Sequence, residues 1–149
     1  MSIITKTDAE IDLMREPCAI VRDTLAFVGE RISAGMSTKE VDELVERFIR
    51  AAGAYPSCLG YGGFPASACV SVNEVVVHGI PDDKTILKDG DIVSVDLCAY
   101  KNGFHGDAAR TFLIGNVSEE KRLLVERTKE CFFKGIENLH AGTPLYDIG

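Results

Sequence analysis

Apolar side chains recur at every third or fourth position from residue 11 to residue 32, which is the spacing of one face of an α-helix. Thr7 and Glu10 form a capping-box pattern that predicts where this helix begins, and Gly35 predicts where it ends. Pro17 lies inside the stretch, and we expect it to kink or split the helix because proline lacks a backbone N–H. The apolar positions are Ile11, Met14, Cys18, Val21, Leu25, Val28 and Ile32.

Two later stretches show the same helical spacing. Ser37 and Glu40 form a second capping box, and the helix that follows is predicted to stop at Gly53. A third helix is predicted to begin after a cap at Ser118 and to end at Gly142.

Between the second and third helices the pattern becomes that of β-strands. Residues 54–66 are rich in Gly and Pro and carry aromatic residues, so they form either a pocket lining or a connection anchored in the core. Residues 67–73 alternate in polarity and predict a strand. Residues 91–100 and 104–114 predict two strands joined by an Asn-Gly turn. Helices and strands in this order indicate an α+β fold.

Two aspartates stand in the predicted hairpin. With Asn102 and Gly103 as a two-residue turn, Cys98 lies opposite Asp107. Because side chains alternate along a strand, Asp96 shares their face. Asp96 and Asp107 are then diagonal neighbours whose Cα atoms lie about 7–8 Å apart.

Carboxylates at that separation can share a divalent metal ion such as Co, Mn, Fe or Zn. The alternative is that Asp96 and Asp107 are solvated positions on a half-exposed hairpin, or that they pair with Arg110. Two aspartates are too few for a tight metal site, so other ligands must come from elsewhere.

Three histidines are candidates for chemistry. His78 follows three valines, where it is either a core residue or a group that exchanges protons or hydrogen bonds with a substrate. His105 is predicted to face away from Asp107, because side chains alternate along the strand. His140 is predicted to lie at a helix C-terminus, where the helix dipole favours a cation.

Composition narrows the class of protein. The net charge of −7 argues against nucleic acid as a direct ligand, because binding to phosphates needs a basic surface. The sequence has neither the apolar core of a signal peptide nor an apolar run long enough for a bilayer, so no membrane partner is predicted. Five cysteines without a C-x-x-C pair predict reduced thiols in the cytoplasm. They are Cys18, Cys58, Cys69, Cys98 and Cys131.

Residues 32–41 resemble residues 139–148. Both stretches begin with an apolar residue, continue with Ala-Gly at the third and fourth positions, and end with an acidic residue followed by an aliphatic one. If this similarity marks an internal repeat, the fold consists of two related units, the second of which begins near residue 115. We therefore expect the second unit to run for roughly a hundred residues from there, past the end of this sequence.

The sequence resembles the type I methionine aminopeptidases of peptidase family M24 in five segments, which follow one another in the same order as in that family. The most specific is Asn73-Glu74 followed by His78-Gly79-Ile80-Pro81, with the two-aspartate hairpin after it. The segments are residues 58–61, 71–81, 87–93, 95–96 and 103–108. The resemblance implies the "pita-bread" fold, in which two pseudo-symmetric halves surround a central sheet. Residues 1–149 would then be the N-terminal part of one catalytic domain, the first half plus the start of the second.

The resemblance also implies a set of site residues. Asp96 and Asp107 match two of five protein ligands to two divalent metal ions, while the other ligands, a histidine and two glutamates, would lie beyond residue 149. His78 matches a catalytic histidine that contacts the substrate. Four residues match the walls of a pocket for the methionine side chain, and two match backbone positions around a structural monovalent cation. They are Cys58, Tyr61, Phe64 and Cys69 for the pocket, and Asn73 and Val75 for the cation.

The function implied by the resemblance is removal of the initiator methionine from nascent polypeptides in the cytoplasm. The ribosome is a further expected partner, and the complete enzyme is expected to be a monomer. The chain by itself is expected to be incomplete and inactive, because it supplies two of the five ligands. Two alternatives stay open: a half-length binding module of the same fold without catalysis, and a proline-directed relative such as aminopeptidase P or prolidase.

Overall fold

The computed structural model describes residues 4–148, which fall into two compact units, 4–116 and 117–148. Within the described residues, no helix is both long enough and apolar enough to cross a bilayer. The first unit contains α1 (Asp8–Gly29), α2 (Thr38–Ala51), β1 (Tyr55–Pro56), a 3-10 turn (Tyr61–Gly63), β2 (Ala68–Val72), β3 (Ile92–Lys101) and β4 (Phe104–Leu113). The second contains α3 (Glu119–Ile136) and a 3-10 turn (Leu145–Ile148).

The first unit is built around strand β3. Strand β4 pairs antiparallel with β3 along its whole length. Because β4 occupies one edge of β3, strands β2 and β1 follow each other along the other edge. The resulting four-stranded sheet places residues of three strands next to the middle of β3.

One face of the sheet packs on the helices and forms the core. On β3 the buried side chains alternate with half-buried ones, as expected for a strand with one covered face. The buried set of β3 is Val93, Val95, Leu97 and Ala99, and the helices contribute Val21, Leu25, Val28, Val41, Val45 and Ile49. The opposite face of β3 presents Ser94, Asp96 and Cys98.

The predicted hairpin is confirmed in its register. Asn102 and Gly103 have φ values of 55° and 85°, the two positive values that a type I′ turn requires. Lys101 lies opposite Phe104 and Cys98 lies opposite Asp107, as the sequence predicts.

Both predicted capping boxes are present. The side chain of Thr7 accepts a hydrogen bond from the Glu10 N–H, and Glu10 in turn accepts one from the Thr7 N–H. Ser37 and Glu40 form the same pair of hydrogen bonds at the start of α2. Each pair satisfies amide groups that a helix N-terminus leaves free.

The first helix differs from its prediction at two points. Pro17 does not split α1, which is continuous from Asp8 to Gly29. The helix ends six residues before Gly35, because the chain there forms a short ladder instead: Gly35 N–H donates to the Leu87 carbonyl and Leu87 N–H donates to the Met36 carbonyl, both at 2.8 Å. Hydrogen bonds to a segment distant in sequence therefore set the end of α1.

Strand β4 lies against the Pro17 backbone at Gly106. A Cβ atom at Gly106 would stand 2.5 Å from the Pro17 carbonyl carbon and oxygen, so only glycine permits this approach. The close packing of α1 on β4 supports the helix at the position where proline removes a hydrogen bond.

In the second unit, the predicted start of α3 is confirmed and its predicted end is wrong. Ser118 caps the helix through the Lys121 N–H, but α3 ends at Ile136 and not at Gly142. His140 therefore lies outside the helix, and the helix-dipole explanation for it is wrong; its Nδ1 atom lies 2.9 Å from the Ala141 carbonyl oxygen. Whether the two units belong to one catalytic domain stays a prediction.

Candidate metal and substrate site

Asp96 and Asp107 are brought together by the hairpin. Asp96 lies opposite Ala109 and Cys98 lies opposite Asp107, so the two aspartates are diagonal neighbours on one face of the sheet. Asp96 is half-buried, whereas Asp107 is exposed. The sequence predicted this arrangement from the turn and the alternation alone.

The two carboxylates interact unfavourably with each other. Burial raises the pKa of Asp96, the negative charge of Asp107 raises it further, and His78 acts in the opposite direction. These effects place His78 within electrostatic reach of Asp96. A cation bound between the carboxylates would relieve both the burial cost and the repulsion.

The alternative in which Arg110 neutralises the aspartates is wrong. Arg110 lies opposite Val95, whose side chain belongs to the core face, and its guanidinium stacks over the ring of Phe112 at 5.2 Å. The hairpin therefore sends Arg110 and the aspartate pair to different faces. Within residues 4–148, neither Asp96 nor Asp107 takes part in an ion pair.

The aspartate pair could supply part of a ligand set for a metal ion. Carboxylate oxygens are suitable donors for divalent metal ions, and two of them converge here without a cationic partner. Among the described residues, however, no group of three or more His, Cys, Asp or Glu side chains is placed to hold a metal ion. A tight site needs ligands in addition to these two.

Three thiols surround the aspartates. Cys69 on β2 pairs with Asp96 on β3, and Cys98 lies between Asp96 and Asp107 on the same face. Cys58, two residues after β1, forms a hydrogen bond with the Cys98 thiol. All three are free cysteines.

The thiols have different acidities because their surroundings differ. The hydrogen bond from the Cys98 thiol lowers the pKa of Cys58 to about 7, against the opposing effects of burial and the two aspartates. The pKa of Cys98 is raised, first by that same hydrogen bond and then by burial. Burial is the main cause that raises the pKa of Cys69 to about 11, with Cys58 and Asp96 adding to it.

His78 is exposed and has a φ of 58°, so the interpretation of it as a core residue is wrong. A positive φ at a non-glycine residue is uncommon and needs support from its surroundings. Gly79 supplies this support: its N–H donates to the Ser71 hydroxyl at 3.1 Å and its carbonyl accepts from the Val70 N–H at 2.9 Å. Strand β2 therefore fixes the backbone next to His78.

Tyr61 and Phe64 lie in the glycine-rich loop. The N–H of Gly60 donates to the Phe64 carbonyl at 2.8 Å, and the N–H of Phe64 donates to the Tyr61 carbonyl at 2.9 Å, which closes a compact turn. Tyr61 is 81% exposed and Phe64 is half-buried, so neither is a core anchor. The interpretation of this loop as a pocket wall stays a prediction.

Asn73 ties the end of β2 to the start of β3. Its side-chain amide donates to Asp91 at 2.8 Å, and its side-chain oxygen accepts from the Ile92 N–H at 3.2 Å. Asn73 has a φ of 51°, and the N–H of Val75 donates to the Val72 carbonyl at 3.1 Å. A role for Asn73 and Val75 in holding a monovalent cation stays a prediction.

Sequence reasoning missed Cys98 as a member of the site. The alternation that places Cys98 beside the aspartates was readable, but its contact with Cys58 depends on the pairing of β1 with β3. A two-residue strand has no periodicity from which that pairing could be predicted.

Known proteins match this chain along nearly all of its length. The sequence model of "Metallopeptidase family M24" matches residues 12–149. The methionine aminopeptidase of Clostridium acetobutylicum is 51% identical over 146 residues, which cover 98% of this chain and 58% of the relative. Methionine aminopeptidase 1 of Bacillus subtilis is 48% identical with the same coverage of both chains. The chain thus spans about three-fifths of the length of these relatives.

Solved structures show the same relationship. A methionine aminopeptidase from Thermotoga maritima superposes with a TM-score of 0.95 and 38% identity, covering 99% of this chain and 59% of that one. A prolidase from Pyrococcus furiosus superposes with a TM-score of 0.83 and 25% identity, covering 97% and 41%. The predicted α+β pita-bread fold is confirmed, and by sequence and by structure this chain belongs to metallopeptidase family M24.

Proposed function

We propose that the whole protein is a metal-dependent aminopeptidase that removes the N-terminal methionine from nascent polypeptides. The observation that carries this proposal is the convergence of Asp96 and Asp107 on one face, within reach of His78 and beside Cys58 and Cys69. Relatives that are about half identical in sequence are methionine aminopeptidases, which supports the substrate.

Asp96 and Asp107 would contribute carboxylate oxygens to a pair of divalent metal ions, with Co, Mn, Fe and Zn as the candidates. When bound, such ions polarise a carbonyl group and lower the pKa of a bound water. The raised pKa of Asp96 fits this role, because the site disfavours two carboxylate charges without a cation. The missing ligands would come from residues outside the described part of the chain.

His78 would act as the catalytic residue of this chain by donating a hydrogen bond to the substrate near the scissile amide. The side chain of His78 is exposed, and the hydrogen bond from the Gly79 N–H to Ser71 holds the backbone beside it. The methionine side chain would lie against residues whose sulfur atoms and rings suit a flexible thioether. These are Cys58, Tyr61, Phe64 and Cys69.

The backbone around Asn73 and Val75 would hold a structural monovalent cation. The expected partners are nascent polypeptides that begin with methionine and, through them, the ribosome, and the whole protein would be a monomer. We place its action in the cytoplasm, where nascent chains are made and thiols stay reduced; all five cysteines are free.

The two alternatives are less well supported. A binding module without catalysis has no need for the metal ligands, yet this chain keeps the aspartate pair on one face. A proline-directed enzyme would share the fold, but among the superposed structures the prolidase is 25% identical to this chain whereas the Thermotoga maritima methionine aminopeptidase is 38% identical.

A peptide panel distinguishes these functions. The protein at its native length is incubated with manganese and with Met-Ala-Ser, Leu-Ala-Ser or Ala-Pro-Ser, and the released amino acid is quantified. Methionine aminopeptidase activity predicts release from Met-Ala-Ser alone and its loss in a chelator. Release from Ala-Pro-Ser would assign the protein to the proline-directed relatives, and no release from any peptide would favour the binding module.

A further inference from the structure

Cys58 and Cys98 are two thiols from different strands that meet at the edge of the aspartate pair. Pro56 on β1 lies opposite Ala99 on β3, and the Ser57 N–H donates to the Cys98 carbonyl at 3.0 Å. This backbone pairing places Ser57 opposite Cys98, and Cys58 is the next residue along the chain. The thiol and the backbone N–H of Cys98 both act on Cys58 as hydrogen-bond donors and lower the pKa of its thiol.

Cys98 has no role in the proposed hydrolysis. That reaction also does not require another thiol near Cys58. The pair also differs from the other cysteines. Cys69 is 8% exposed, whereas Cys58 and Cys98 are half-buried and more open to a small reagent. The two side chains are hydrogen-bonding neighbours on paired segments of one sheet, which is the proximity that a disulfide bond between them requires.

We propose that Cys58 and Cys98 form a reversible disulfide when the chain meets a low-molecular-weight disulfide, which makes this pair a redox modification site beside Asp107. The sulfur of one cysteine attacks the reagent, whose S–S bond breaks, and a mixed disulfide forms while the first reagent thiol leaves. The sulfur of the second cysteine then attacks the protein sulfur of the mixed disulfide, and the second reagent thiol leaves. The two protein thiols lose two electrons and two protons, and the reagent gains them as two thiols.

The disulfide would change the site directly. Cys98 stands opposite Asp107 in the hairpin, so a covalent link to Cys58 restrains the strand at the level of that carboxylate. The link also removes one free thiol from the proposed methionine pocket. The inference itself does not rest on the proposed function, because it can be tested on the disulfide bond alone.

The test is non-reducing mass spectrometry of the chain after exposure to glutathione disulfide. The chain is reduced, desalted, incubated with the reagent, quenched with acid, alkylated and digested with trypsin. Trypsin leaves Cys58 and Cys69 on the peptide 51–84 and Cys98 on the peptide 89–101. We expect these two peptides to be linked, and the link to disappear with dithiothreitol.

Single substitutions assign the link within those peptides. Cys69→Ser should retain it, because that thiol takes no part. Cys98→Ser should abolish it and leave one glutathione on Cys58, because the resolving thiol is gone. Circular dichroism of each variant verifies that the fold is retained. If one variant fails to fold, the other still shows which cysteines form the link.

Three results would overturn the proposal. One is glutathione adducts on wild-type Cys58 without a link to the peptide 89–101. The second is a link that disappears in Cys69→Ser, which would identify Cys69 as the partner of Cys98. The third is a link that persists undiminished in Cys98→Ser.

Discussion

Replacing Asp42 by alanine tests how strand β2, which lies beside the proposed metal site, is held in place. The Asp42 side chain on α2 is 1% exposed, and its Oδ1 atom accepts hydrogen bonds from the N–H groups of Ser67 at 2.8 Å and Ala68 at 2.9 Å. These amides begin strand β2, whose next residue, Cys69, pairs with Asp96. The carboxylate therefore anchors the strand that carries one wall of the proposed pocket.

The expected loss of stability in Asp42→Ala comes from the two backbone N–H groups that lose their acceptor. Ser67 and Ala68 are both fully buried, and a buried N–H that loses its acceptor costs about 1–3 kcal/mol. Alanine leaves both without an acceptor but also removes the cost of burying a carboxylate, which the Lys39 ammonium group 3.6 Å away offsets in part. We expect Asp42→Ala to lower the free energy of unfolding by about 2–4 kcal/mol.

Asparagine separates the hydrogen bonds from the charge. Asp42→Asn keeps an oxygen at the Oδ1 position, so we expect it to lie within about 1 kcal/mol of the wild type at pH 7. Burial raises the pKa of Asp42, while the Ala68 and Ser67 hydrogen bonds lower it. Since the folded pKa lies above the unfolded one, the folded state binds the proton more tightly. This contribution to stability is present at low pH and is lost as pH rises through the folded pKa. It should be absent in Asp42→Asn.

Urea unfolding followed by far-UV circular dichroism measures both variants, with the exposed Asp83→Ala as the matched control. The reasoning is refuted if Asp42→Ala unfolds within about 0.5 kcal/mol of wild type, which is the range of an ordinary surface substitution. It is also refuted if asparagine is as destabilising as alanine, because the hydrogen bonds to the amides would then not be the cause.

Three further predictions concern the hairpin and the site. Gly106→Ala should lower the free energy of unfolding by about 1–3 kcal/mol in the same urea assay, since its Cβ atom would overlap the Pro17 carbonyl; an unchanged midpoint would show that α1 and β4 separate easily. In the metal-free chain, Asp107→Asn should lower the pKa of Asp96, because the charge of Asp107 raises that pKa. The pKa of Asp96 should stay above its ordinary value, because burial is the larger cause. An NMR titration of the Asp96 carboxyl group measures this, and the same pKa in the wild type and the variant would contradict it. The chain of 149 residues should release no methionine from Met-Ala-Ser, since it lacks a third metal-ligating group among its described residues; release that a chelator abolishes would refute this.

Local signals in the sequence were enough to predict the hairpin. The Asn-Gly pair sets the turn, alternation sets the face, and together they place Asp96 diagonal to Asp107. The capping boxes likewise fixed the starts of α1 and α2, because a cap is a contact between residues three apart.

The errors occur where distant contacts decide the structure. After α1, the chain pairs through Gly35 and Met36 with Leu87, which lies 52 residues after Gly35, and Gly35 alone gives no sign of this pairing. Strand β4 approaches α1 closely at Pro17 through Gly106, a contact that Pro17 alone does not predict. The meeting of Cys58 with Cys98 depends on a strand of two residues. In each case the deciding partner is not a sequence neighbour.

The release of methionine from Met-Ala-Ser by the protein at its native length, with and without Asp107, tests the central claim most directly. The wild type, Asp107→Asn and the exposed control Asp83→Asn are compared with manganese at equal protein concentration. If the aspartate pair holds the catalytic metal, Asp107→Asn should lose activity by at least about 100-fold, while the control matches the wild type. Wild-type activity in Asp107→Asn would contradict the assignment of this hairpin as the metal site.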